Sequence, residues 1–147
     1  MHFKNDEEVS NLVKAFETCT IHPADFRHYM HLAVALWYLR HFSYEDASQK
    51  VRKGIKRLAA AYGKTGYHET ITLFWLEMVR RFVLNGHSGD RIFDLANKLA
   101  SEYGNKNLIA DYYSGETLNS ERAKKEWVEP DLKSVKEVPS RLPNRDR

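Results

Sequence analysis

Only one cysteine, Cys19, occurs in the chain, which excludes an internal disulfide. Long apolar runs are missing too. The longest, residues 32 to 39 (LAVALWYL), ends at Arg40 after eight residues, far short of the roughly 20 that a bilayer-crossing helix needs. It predicts a core helix and no membrane partner. No segment alternates strictly enough between apolar and polar residues to argue for a sheet, and no internal repeat stands out. A block of one charge is also lacking: 23 Lys and Arg are interleaved with 20 Asp and Glu, for a net charge of +3. That pattern weighs against a nucleic-acid partner. The N-terminal MHFKNDEEVS has no basic-then-apolar layout of a signal peptide, so the expected location is cytoplasmic.

With 147 residues, 42% of them hydrophobic, the chain is long enough to bury a core and fits one domain. Apolar spacings of three and four predict a helix over residues 6 to 18, a second from Pro23 to about Phe42, and a third from Ser43 to the stop at Gly63. A fourth runs from about Tyr67 to Leu84, with Asn85 and Gly86 as its stop, and a fifth from after Ser88 to Gly104. A short helix follows around residues 105 to 113, then a turn at Ser114 and Gly115, then a last helix capped by Ser120 and closed before Pro130. The expected fold is all-α: a single-domain bundle of four to five main helices with a short helical C-terminal cover over residues 1 to 132. Residues 133 to 147 read as a flexible polar tail.

Histidines mark the candidate site. At about 100° per residue, His28 and His31 fall within about 60° of one another on a face continued by Ala35, Leu39 and Phe42. His68 heads the stripe of Thr72, Trp75, Val79 and Phe82, with Tyr67 and Glu69 beside it. Short connections favour antiparallel neighbours, so Glu17, His28, His31, Tyr67, His68 and Glu69 are expected at one end of the bundle, walled by Thr72 and Trp75. Three chemistries suit such a pocket. His28, His31 and His68 with a carboxylate would hold one divalent transition metal. A histidine poised by Glu17 or Glu69 would serve metal-free acid–base catalysis. The third is plain binding of a small-molecule ligand. Against all three stands the structural reading, in which inward histidines are hydrogen-bonded core residues and Glu69 answers the helix dipole.

Elsewhere the chain is plainer. His2, His22, His41 and His87 read as solvated, and Cys19 as a small buried thiol. Lys50, Arg52, Lys53, Lys56 and Arg57 form a basic helix face without interleaved aromatics. That face supports a second class of function, a non-catalytic helical interaction or adaptor module with no partner indicated. Residues 111 to 132 either lid the pocket or cover an apolar edge of the bundle.

The strings FRHYMHLAVALWYLRHFSYEDASQKVRKGIKRL, GYHETITLFW and YYSGETLNSERAKKEWVEPDL resemble an uncharacterised family of small bacterial helical proteins with HxxHL and GYHETIT motifs. The resemblance spans roughly residues 12 to 132. It implies a bacterial cytoplasmic protein and carries no reaction, cofactor or substrate.

Overall fold

The computed structural model describes residues 1–86 and 89–135. Its main helices are α1 (Asp6–Glu17), α2 (His28–His41), α3 (Tyr44–Ala61), α4 (Glu69–Leu84) and α5 (Ile92–Tyr103), followed by two short ones, α6 (Gly115–Leu118) and α7 (Glu121–Lys125). No strand occurs among the described residues. The fold is an all-α bundle.

Local chemistry sets most boundaries. Asn5 accepts from the Glu8 N–H to start α1, and Ser43 accepts from the Asp46 N–H to start α3. Ser120 does the same for α7 through the Ala123 N–H. Each side chain satisfies one of the donors that a first turn leaves unpaired. The turn at Ser114 also proves to be a cap, for the short helix α6.

Two boundaries differ from expectation. Pro23–Asp25 forms a separate 3-10 turn, and the chain breaks at Phe26 and Arg27 before α2 begins at His28. Pro23 takes the first helical position behind the His22 cap, whose Nδ1 accepts from the Ala24 N–H, but the turn ends at Phe26, where the backbone leaves helical geometry and Arg27 is extended. The second difference concerns α4, which starts at Glu69 because His68 is its cap and extended in backbone. The fifth helix, expected to begin after Ser88, begins at Ile92; His87 and Ser88 themselves lie outside the described residues.

The helix α2 is apolar all round, and it packs against α1, α3, α4 and α5. Such a helix belongs in the middle of a bundle. Around it Val9, Phe16, Leu36, Val79, Leu95 and Leu99 are essentially inaccessible. α3 approaches α1 closely at Gly54, where an added Cβ would lie 2.3 Å from the Phe16 ring. Only glycine fits there. None of the helices among the described residues is long and apolar enough to cross a membrane.

A second apolar cluster settles what the C-terminal segment covers. Phe74 and Met78 on α4 are buried beneath Ile109, Tyr112, Tyr113 and Val135. Polar pins hold the cover in place: Tyr113 donates to the Val128 carbonyl at 2.6 Å, and Thr70 donates to the Glu126 carbonyl at 2.7 Å while accepting from the Val128 N–H. Packing therefore continues to Val135, three residues into the expected tail; residues 136 to 147 lie outside the described residues.

Candidate functional site

A half-open cavity of about 770 Å³ lies where α2 and α4 begin. α2 with its cap residue supplies Arg27, His28 and His31, and α4 with its lead-in supplies Tyr67, His68, Thr72 and Trp75. α3 contributes Val51 and Ile55, and the 3-10 turn after α5 contributes Lys106 and Ile109. The floor is core: Phe16, Leu32, Leu76 and Val79 are at most 1% exposed, whereas Ala24, Arg27, Gly66 and Lys106 at the rim are exposed. Six of the eight site residues expected from sequence thus share one pocket: His28, His31, Tyr67, His68, Thr72 and Trp75.

Each imidazole is pinned by a backbone carbonyl. His28 Nε2 lies 3.0 Å from the Tyr103 oxygen, His31 Nε2 is 3.1 Å from that of Phe26, and His68 Nε2 is 2.6 Å from that of Leu118. A carbonyl only accepts, so all three donate through Nε2–H. His68 uses its other nitrogen as well, with Nδ1 accepting from the Ile71 N–H at the start of α4. Stacking fixes the remaining rings: His31 lies on Phe26 at 3.9 Å between centroids, and His28 stands edge-on to Trp75 at 4.5 Å. Burial drives the His31 pKa down to about 4, against the pull of the Phe26 carbonyl and with help from His28. His28 is also lowered, first by burial and further by the Lys106 charge, with the Tyr103 carbonyl opposing. Both side chains are held as neutral imidazole near neutral pH.

The carboxylates do not join them. Glu17 accepts from Tyr38 Oη at 2.5 Å and lines a separate groove with Trp37, Phe42, Lys53 and Arg57. Tyr38 is turned about 80° around α2 from His28, so the carboxylate that follows it is directed away from the histidine face. Glu69 is buried as the first residue of α4, bonded to Arg52 Nη2 and to Tyr67 Oη, each at 2.6 Å. Burial raises its pKa, but the Arg52 and Tyr67 bonds and the Arg52 and Lys56 charges outweigh it and hold the carboxyl below its ordinary value. In return Tyr67 is pushed up to about 12, by burial and then by Glu69. Glu69 supports the pocket wall through Tyr67 without lining the cavity.

This donor set weighs against the metal expectation. His68 has no nitrogen left, no carboxylate lines the cavity, and among the described residues no three His, Cys, Asp or Glu gather as a metal site. His28, His31 and His68 do not fit a divalent transition metal, whose protein sites take three or four ligands. Poising of a histidine by Glu17 or Glu69 also fails, since each carboxylate is bonded elsewhere.

Arg27 and Lys106, which frame the mouth, escaped sequence reasoning. Arg27 stands in FRHYMH and was visible, but nothing along the chain places Lys106 beside α2, 78 positions after His28. The separate groove brings another surprise: Trp37 of α2 and Phe42 just after it lie beside Lys50, Lys53 and Arg57 of α3, so aromatics from outside α3 border its basic face. The remaining histidines His2, His22 and His41 are exposed. Comparison with family models, with curated proteins and with solved structures finds no match, so the reading of this pocket rests on its own geometry.

Proposed function

We propose that this chain binds a small molecule in the pocket at the start of α2 and α4, and that it does so without a metal. One observation carries the reading: polar groups from three separate segments converge on a single cavity whose floor is the protein core. Its volume of about 770 Å³ falls within the roughly 300–1,000 Å³ of small-molecule sites, which combine apolar walls with a few placed polar groups. The interior offers lone pairs more than protons. Tyr67 spends its hydroxyl proton on Glu69 and Thr72 donates its own to the His68 carbonyl, leaving their oxygens as acceptors. Fragment screening by backbone-amide NMR tests the reading. Hits should shift the amides of His28, Thr72 and Trp75 together; shifts scattered over unrelated surfaces, with these three unmoved, would contradict it.

A second reading has one observation in its favour. The groove of Trp37, Phe42, Lys50, Lys53 and Arg57, which Glu17 and Asp46 also line, offers an adaptor surface for a protein partner. A pull-down that recovers one defined partner and loses it in a Lys53→Glu/Arg57→Glu variant would support this reading; recovery unaffected by the variant would count against it.

A further inference from the structure

The charge inventory of the pocket is lopsided. Its lining contains Arg27 and Lys106 and not a single Asp or Glu. Among the described residues neither cation has an ion-pair partner, so both charges are open to a ligand. Both stand at the exposed rim, and both adjoin His28: Arg27 precedes it in the chain and Lys106 acts on its ring electrostatically. The first turn of α2 holds no acidic residue, and Arg27 as its cap makes no side-chain cap bond, so the positive end of that helix adds to the same rim.

Depth gives the orientation. Below the rim the lining turns to Leu32, Val51, Ile55, Leu76 and Val79, while the polar groups between present lone pairs. The Nδ1 atoms of His28 and His31 have no described partner and are not among the fully buried unsatisfied atoms, so they can be reached from the cavity. An anion pushed into the interior would meet acceptors and hydrocarbon, at a high desolvation cost. At the rim it meets two cations and water.

Resting on the reading of this cavity as a ligand site, we propose that its ligand is an amphipathic organic anion, with its anionic group at the Arg27 and Lys106 rim and its apolar body directed to the core floor. A hydroxyl or N–H on that body would find acceptors at Thr72, Tyr67 and the histidine Nδ1 atoms.

Three probes of equal chain length separate charge from apolar fit: octanoate, 1-octanol and octylammonium, each titrated below its aggregation concentration and followed at the Thr72 and Trp75 amides. Octanoate should bind roughly tenfold more tightly than either of the others, the factor that two partly exposed ion pairs add up to. Raising the salt concentration should weaken octanoate and leave octanol unchanged. An Arg27→Gln/Lys106→Gln variant should bring octanoate to the octanol level without altering octanol binding, which also shows that the variant is folded. Equal affinity of octanoate and octanol in wild type would overturn the anionic assignment while leaving the pocket a ligand site. Octanoate failing to bind, with neutral fragments still binding there, would overturn it too; failure of every probe and fragment would remove the binding-site reading as well.

Discussion

His31 is stacked on Phe26 and packed deep in the pocket, so protonating it works against the fold. Its folded pKa of about 4 lies below its ordinary 6.5. As pH falls through 6.5 the unfolded chain takes up a proton that the native state refuses, and stability drops until pH reaches about 4. The loss should reach up to about 3 kcal/mol. His31→Gln keeps a donor for the Phe26 carbonyl and removes the titration, so urea unfolding between pH 4 and 7 should show a flatter profile in the variant. Equal slopes would contradict this. Glu69 acts in a lower window: its carboxyl is depressed, so its contribution is present above the ordinary carboxylate pKa and disappears as pH falls through the lower folded value. Glu69→Gln at neutral pH removes the charge that Arg52 and Tyr67 hold, and should cost about 2 kcal/mol in urea unfolding. A variant as stable as wild type would mean that the triad does not contribute to folding. Histidine at the pocket was legible in the residues, because HxxH spacing and the stripe below His68 both point inward. Their bonding was not, since the carbonyls of Tyr103 and Leu118 are 75 and 50 positions away in the chain.

At the scale of the element, local signals carried well wherever a cap lies in sequence beside the helix that it starts. Ser43 and Ser120 are such cases. They carried less well where two local signals compete, as at Pro23, where a 3-10 turn and α2 divide what reads as one helix. Gly54 shows a third limit: nothing beside it in the chain marks it as the point where α3 meets Phe16. Alanine there would gain about 1 kcal/mol of helix propensity and still destabilise, because its Cβ would have to displace a buried ring, at about 1–3 kcal/mol. Combining Gly54→Ala with Phe16→Leu should recover part of the loss. Chemical denaturation of the two singles and the double measures this coupling; strict additivity would mean that the contact is not the cause. The cover depends on Thr70, whose hydroxyl ties Glu126 and Val128 to α4. Thr70→Val should speed hydrogen exchange around residues 112 to 132 while α1 and α2 keep their protection. Uniform acceleration throughout would mean that the cover and the bundle open as one unit.

In the whole molecule, the arrangement follows from one central helix. Because α2 is surrounded by α1, α3, α4 and α5, its imidazole and charged side chains are confined to its two ends, and at its first turn they meet the opening of the pocket. The α4 start and the segment after α5 close around that opening, so the same chain that covers Phe74 and Met78 also contributes Lys106 and Ile109 to the pocket. Cover and pocket wall are one structure. At that opening three histidines act as Nε2–H donors to backbone carbonyls, a donor set that does not suit a metal. Long-range ¹⁵N–¹H correlation of the imidazole rings at pH 7, with and without one equivalent of Zn²⁺, tests it most directly. His28, His31 and His68 should each show the Nε2–H form, unchanged by Zn²⁺. Stoichiometric Zn²⁺ binding that shifts all three rings together and frees His68 from Leu118 would contradict it.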